Sequence, residues 1–248
     1  EKIIKAGEIS SEDIVIEVGP GTGNLTRALV ETGARVIAIE KDHRLIEDLE
    51  AKFSAAQIEI VEADVLELKT ETLIGNWELK NGNYKIVANL PYYITSHFIR
   101  TVFESASWRM AQPSLLVLMV QKEVAKRIMS KPPEMNLLAL SVQYYAKPEI
   151  ITQVSRGSFR PMPTVDSAVI RLTPRTEYYL TAEKEELFFS ILKSAFGGKR
   201  KQLINTLPTI ISKNKQGTAE LLTQIGLSPQ TRPETVDLVH WLILVNSL

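Results

Sequence analysis

Two short stretches of this sequence carry residues whose types and spacing suit chemistry on an adenosine-like molecule. The run Glu17-Val18-Gly19-Pro20-Gly21-Thr22-Gly23 sits between a β-branched segment, Ile14 to Val18, and an amphipathic one. Gly19, Gly21 and Gly23 let the backbone turn tightly there and approach a ligand closely. Glu40 lies 21 residues after Gly19 at the end of the next β-branched segment, where it can accept hydrogen bonds from ribose hydroxyls. Ala63-Asp64-Val65 follows a third such segment, and Asp64 can accept a hydrogen bond from an adenine amino group. Taken singly these features have plainer explanations: a strand-turn-helix corner for the glycines, a helix N-cap for Asp64. A dinucleotide fingerprint would need its third glycine at position 24, which is Asn24, so a nicotinamide or flavin dinucleotide fits poorly.

An acidic residue leading a G-x-G-x-G turn, as Glu17 does, resembles motif I of the class I methyltransferases. Asn89-Leu90-Pro91-Tyr92, after a fourth β-branched segment, then gains meaning. An exocyclic aryl amine is a poor nucleophile because its lone pair is delocalised into the ring. The Asn89 side-chain oxygen and the Leu90 carbonyl can accept both amine hydrogens and aim the lone pair at a sulfonium methyl. Pro91 stiffens the segment and removes a competing N–H. Tyr92 offers a flat face on which an extruded base can stack. Asn-x-Pro-Tyr is also an acceptable turn leaving a strand. Phe159, in the Pro-stiffened stretch Ser158 to Ala168, can cover the other face of the same base or simply be buried.

The elements that must position these residues alternate. Strands are predicted at Ile14–Val18, Val36–Ile39, Ile58–Val61, Lys85–Ala88, Leu115–Val120, Ala139–Tyr145 and Ala168–Leu172. Helical periodicity falls between them at Lys2–Ala6, Asn24–Thr32, Arg44–Phe53, Ser96–Glu104 and Glu123–Ser130. This predicts an α/β domain over residues 1–175 with a mostly parallel seven-stranded sheet. After Pro174 only helical patterns follow, at Lys184–Ala195, Lys201–Ile211, Ala219–Ile225 and Val236–Asn246, so residues 176–248 are predicted to form a small helical domain.

Composition narrows the classes. No cysteine occurs among the 248 residues, which excludes disulfides, zinc ribbons and thiolate catalysis and points to a reducing, cytoplasmic compartment. No apolar run reaches about 18 residues, so no membrane span is expected, and no basic and apolar leader pattern opens the sequence, so no targeting peptide is expected either. Formal charge is balanced at 29 basic and 29 acidic residues, against indiscriminate polyanion binding. Residues 1–150 nevertheless carry 17 basic and 21 acidic side chains, and residues 151–248 carry 12 and 8. A modestly basic half can grip phosphates locally. Lys199, Arg200 and Lys201 close a helical segment there, where cations also suit a helix C-terminus.

Together these residues resemble the bacterial small-subunit (16S) rRNA adenine N6,N6-dimethyltransferases, the KsgA family. The likeness takes in Glu17 to Gly23, Glu40, Asp64, Asn89 to Tyr92, Gln121 to Arg127, Phe159 to Leu172, Phe196 to Leu207 and Arg232-Pro233-Glu234. It implies a Rossmann-like class I fold and S-adenosylmethionine as methyl donor. It also implies dimethylation of two adjacent adenines in a hairpin loop near the 3′ end of small-subunit rRNA, on the RNA or a pre-mature small ribosomal subunit, by a monomer. It implies that Gly19, Glu40, Asp64 and Asn89 contact the cofactor, and the full candidate cofactor set is Glu17, Gly19, Gly21, Gly23, Glu40, Lys41, Asp64, Val65 and Asn89. The target adenine falls to Asn89, Leu90, Pro91, Tyr92 and Phe159, and RNA to Arg160, Lys199, Arg200 and Lys201, with no metal. Three departures stand out. The family's segment that closes over the cofactor has no counterpart ahead of Glu1, Lys199 replaces the family's usual Arg, and residues 131–136 are shorter than the family's loop.

Other classes remain: a large-subunit rRNA adenine methyltransferase of the antibiotic-resistance type, which shares the motifs but is disfavoured by the helical tail, and a non-catalytic RNA-binding factor on the same fold. The intact motifs argue against the second.

Overall fold

The β-branched segments assemble into one seven-stranded sheet in the order β3-β2-β1-β4-β5-β7-β6. The structure is a computed structural model and describes residues 1–68, 78–80, 82–90, 94–105, 108, 111–160, 162–175, 177, 180–198 and 201–248. In chain order the elements begin α1 (Lys2–Gly7), β1 (Ile14–Val18), α2 (Asn24–Val30), β2 (Arg35–Glu40), α3 (His43–Lys52), β3 (Ile58–Glu62), β4 (Tyr84–Asn89) and α4 (Thr95–Glu104). They continue with β5 (Leu115–Gln121), α5 (Lys122–Ile128), α6 (Leu137–Tyr145), β6 (Ala146–Val154) and β7 (Ser167–Pro174). The last helices are α7 (Ala182–Phe196), α8 (Leu203–Thr206), α9 (Lys215–Gln224) and α10 (Leu238–Asn246). Strands β3, β2, β1, β4 and β5 pair in parallel, and β7 runs antiparallel to both β5 and β6.

The chain divides into two compact units, one made of Glu1–Ala125 and Ala146–Pro174, the other of Lys126–Tyr145 and Arg175–Leu248. In the first, β1 is buried on both faces, with Val15 and Ile16 fully shielded, as a central parallel strand should be. Leu29 from α2 and Leu49 from α3 pack with Val15, Val36, Val87 and the flanking Phe53 into one apolar cluster. That cluster fixes where the strand ends lie.

The predicted strand Ala139–Tyr145 is instead the helix α6. All its residues but Ser141 and Gln143 are apolar, and Leu138, Ala139, Leu140, Val142, Tyr144 and Tyr145 are all buried. A continuous apolar run has neither period, so it reads as a buried strand or a buried helix equally well. The sixth strand is the next segment, Ala146–Val154, at the edge of the sheet. Its residues after Ala146 are exposed or half-buried with no apolar alternation, and it contains Pro148, which a sheet tolerates on an edge, so it gives little hydrophobic signal. The residues of α6 accordingly group with the C-terminal helices and not with the sheet.

Within the second unit the Tyr144 and Tyr145 hydroxyls donate to the buried Glu185 carboxylate of α7 at 3.1 and 2.9 Å, which satisfies a charge that burial would otherwise penalise. Phe188 packs its ring 4.9 Å from that of Tyr144. The predicted helix Lys201–Ile211 shrinks to the four residues of α8. Pro208 has no N–H to donate to the fourth residue back, and the chain turns there.

Candidate active site

Register brings the motif residues to one edge of the sheet. Val18 at the end of β1 pairs with Ile39 on β2 and Ala88 on β4, so Gly19, Glu40 and Asn89 come next on three neighbouring strands. Glu40 pairs in turn with Glu62 on β3, immediately ahead of Ala63 and Asp64. The strand order reverses between β1 and β4, where connections leave toward opposite faces and open a crevice. A cavity of about 1270 Å³ lies at this point, larger than the roughly 300 to 1,000 Å³ of a single small-ligand site. Gly19, Gly21, Glu40, Asp64, Asn89 and Phe159 are among the residues that line it.

Gly19 and Gly21 adopt positive φ, 68° and 56°, where a side chain would be strained. A Cβ at Gly21 would meet nothing within 4 Å, so this turn presents bare backbone to open space. Gly23 serves a different purpose. Its Cβ would fall 2.9 Å from the Phe53 ring and 3.0 Å from Leu49, so glycine there lets the flanks of α3 pack against the start of α2.

The Glu40 carboxylate accepts three backbone N–H groups, from Gly21 at 3.2 Å, Lys41 at 2.8 Å and Asp42 at 3.0 Å. These bonds fix its orientation and tie the glycine turn to β2, while its remaining lone pairs can take hydroxyl donors. Asp64 accepts the Leu66 amide at 2.9 Å and the Lys41 ammonium at 2.7 Å. Lys41 first, and the Leu66 amide after it, hold the Asp64 carboxyl below its ordinary range. The site thus offers two carboxylate acceptors on adjacent strand ends, as an adenosine needs for its ribose and its base.

Asn89, the last residue of β4, is exposed at the same edge, and Leu90 after it is buried. Pro91 and Tyr92 lie outside the described residues. Phe159 follows a short 3-10 turn, Arg156–Ser158, capped by the Ser155 hydroxyl. That loop is pinned by Asp166, whose side chain accepts the Arg156 amide at 3.1 Å and whose carbonyl accepts the Lys122 amide at 3.0 Å.

Of the expected cofactor set, Gly19, Gly21, Glu40, Lys41, Asp64, Val65 and Asn89 line the cavity. Gly23 and Glu17 do not. Glu17 is wholly buried in β1, below the turn, and among the described residues neither of its oxygens has a hydrogen-bond partner. Burial pushes its carboxyl up to about 7, the nearby Glu40 charge adds to the shift, and the Thr26 hydroxyl opposes it. Arg160 is exposed, its guanidinium donates to the carbonyls of Phe159 and Gly157 at 3.0 and 3.4 Å, and it is not among the residues that line the cavity. Lys201 is exposed in the second unit, and Lys199 and Arg200 lie outside the described residues. The sequence did not point to Lys2 and Ile3 of α1, to His43, or to Met119 of β5, all of which line the cavity. They carry no motif; Lys2, Ile3 and His43 arrive on helices and Met119 on a neighbouring strand.

A profile of the ribosomal RNA adenine dimethylases matches residues 1–244. The chain belongs to the ribosomal RNA adenine dimethylase family. The small-subunit rRNA methyltransferase A of Dehalococcoides mccartyi is 38% identical over 244 residues, 98% of this chain and 81% of that protein. Its counterpart in Halothermothrix orenii is 37% identical over 253 residues, 100% of this chain and 83% of that one. Among solved structures, a dimethyladenosine transferase from Plasmodium falciparum superposes with a TM-score of 0.80 at 26% identity, over 99% of this chain and 93% of that one. The 23S rRNA methyltransferase ErmE superposes with a TM-score of 0.76 at 26% identity, over 100% and 95%. As a family member the chain uses S-adenosylmethionine as methyl donor, and the open glycine turn flanked by two carboxylates fits that molecule.

If Glu40 holds the ribose, Glu40→Ala should weaken S-adenosylmethionine binding by about 10-fold or more, since a hydrogen bond to a charged group is worth roughly 1.5 to 3 kcal/mol. Calorimetric titration of the folded variant is the check. An affinity equal to that of the original protein would take Glu40 out of the site.

Proposed function

We propose that this protein dimethylates N6 of two adjacent adenines in a hairpin loop near the 3′ end of small-subunit rRNA. The observation that carries the reading is the placement of Asn89 and Leu90 on the wall of the cavity that Glu40 and Asp64 line. S-adenosylmethionine, when bound, supplies an electrophilic methyl on a sulfonium. Glu40 takes the ribose hydroxyls, and Asp64 takes the adenine amino group of the cofactor. The Asn89 side-chain oxygen and the Leu90 carbonyl accept the two hydrogens of the target N6 and leave its lone pair aimed outward. Tyr92 and Phe159 hold the flipped base between flat faces. Leu90 is buried, so its carbonyl belongs to a segment held by the core and not to a loose loop.

The helical second unit carries a net surplus of basic side chains and binds the RNA, in a cytoplasmic, monomeric protein. Replacing Lys199, Arg200 and Lys201 together with Ala should lower the salt slope of RNA affinity by about one log unit for each phosphate no longer neutralised. An unchanged slope would leave them without a part in RNA binding. Incubation with labelled S-adenosylmethionine and undermethylated small subunits, followed by digestion to nucleosides, tests the whole assignment. Label in N6,N6-dimethyladenosine from the small-subunit RNA is expected. In a parallel incubation with protein-free large-subunit RNA, label there and none in the small subunits would move the protein to the activity named for ErmE.

A further inference from the structure

Lys41 and Asp64 sit on the wall of the cavity as an ion pair at 2.7 Å. The side chain of Lys41 is 74% exposed and that of Asp64 only 22%. A long, exposed lysine gives up side-chain freedom to make such a contact and is released at little cost. The carboxylate it holds is the one assigned to the cofactor's adenine amino group. An ammonium is a charge-assisted donor and the amino group a neutral one, so at equal geometry the lysine makes the stronger bond. The Leu66 amide engages Oδ1 and the ammonium Oδ2, so an amino group that comes to Oδ2 finds one of its lone pairs taken and a bulky cation already beside it.

We propose that Lys41 is an internal competitor for the adenine subsite: its ammonium holds Asp64 when the cofactor is absent, yields on binding, and returns to hasten departure of the demethylated cofactor. The inference rests on the assignment of Asp64 to adenine. Its use follows from the stoichiometry, because each dimethyladenosine consumes two methyl donors and the spent molecule must leave between transfers. A competing ion pair trades affinity for exchange.

Lys41→Met keeps most of the stem and removes the charge. S-adenosylhomocysteine is the probe, since it bears no net charge and responds weakly to bulk salt effects. Its Kd, by calorimetry, should fall about 2- to 5-fold in Lys41→Met, the size expected for losing an exposed ion pair, and its dissociation in stopped flow should slow in proportion. In the original protein the affinity should rise from low to high salt as the pair is screened, whereas that of Lys41→Met should stay level. Asp64→Ala should weaken binding, and adding Lys41→Met to it should bring no gain. Affinity unchanged or reduced in Lys41→Met at every salt concentration overturns the proposal, while weak binding by Asp64→Ala would still leave Asp64 at the adenine. If Asp64→Ala binds as well as the original protein, the assignment of Asp64 itself is wrong, and the proposal falls with it.

Discussion

Asn89→Ala should slow single-turnover methylation of rRNA by about a hundredfold or more while cofactor and RNA still bind. Asn89 is the terminal residue of β4, in register with Met119 on β5, so its backbone is held by the sheet on which the site is built. Removing its amide takes away a preorganised acceptor whose value appears as the amine approaches the methyl, and not when the base first enters. Tyr92→Ala should fail differently. Stacking is worth about 1 to 3 kcal/mol per base, so that variant should lose capture of the flipped adenine, and Tyr92→Phe should remain substantially active. No general base is needed, because the alkylated amine sheds its proton readily. None of His43, His97 and His240 is assigned a role: His43 lines the cavity with its ring 3.2 Å from Glu62, and the His240 ring lies 2.8 Å from Asp237, whose side chain caps α10. Rapid-mixing methylation of one RNA by the three variants separates the roles. A wild-type rate for Asn89→Ala would remove the central mechanistic assignment.

The parts of this site that could be read from the sequence are those fixed by a strand end. Gly19, Glu40, Asp64 and Asn89 each follow a β-branched segment, and parallel register then gathers them without further information. Residues that reach the cavity from a helix or a neighbouring strand left no such mark. Lys2, Ile3 and Met119 look like any amphipathic or core positions until the sheet order is known. Gly23 is instructive in the opposite sense. It completes the motif by spacing, yet Phe53 and Leu49 crowd it and it stands off the cavity. The strand misplaced at Ala139–Tyr145 failed for a physical reason as well. A helix buried on all sides has lost the amphipathic period, and the exposed edge strand beside it never had an apolar one.

Glu17→Gln should make the protein more stable above neutral pH, by up to about 3 kcal/mol, and should change little near pH 4.5. Glu17 is fully buried on β1 with both carboxylate oxygens unpartnered among the described residues, and its carboxyl is raised from 4.5 to about 7. The sign follows from proton binding. The folded state holds this proton more tightly than the unfolded chain, so Glu17's favourable contribution is complete below about 4.5. It declines as pH rises through the window to about 7 and is gone above it. Glutamine has nearly the same shape and no charge to desolvate, so it avoids that penalty at high pH. Urea midpoints of the two proteins at pH 5 and pH 8 test this, with the gap expected to open only at the higher value. Cofactor affinity at pH 8 supplies the second readout. If Glu17→Gln is stabilised yet binds S-adenosylmethionine less well, the buried carboxylate under the glycine turn acts as a counter-charge to the cationic cofactor, and the fold tolerates the lost stability for binding. If affinity is unchanged, Glu17 leaves the cofactor set. Equal midpoints at both pH values would mean that the carboxyl titrates as an ordinary glutamate and that burial does not govern its charge.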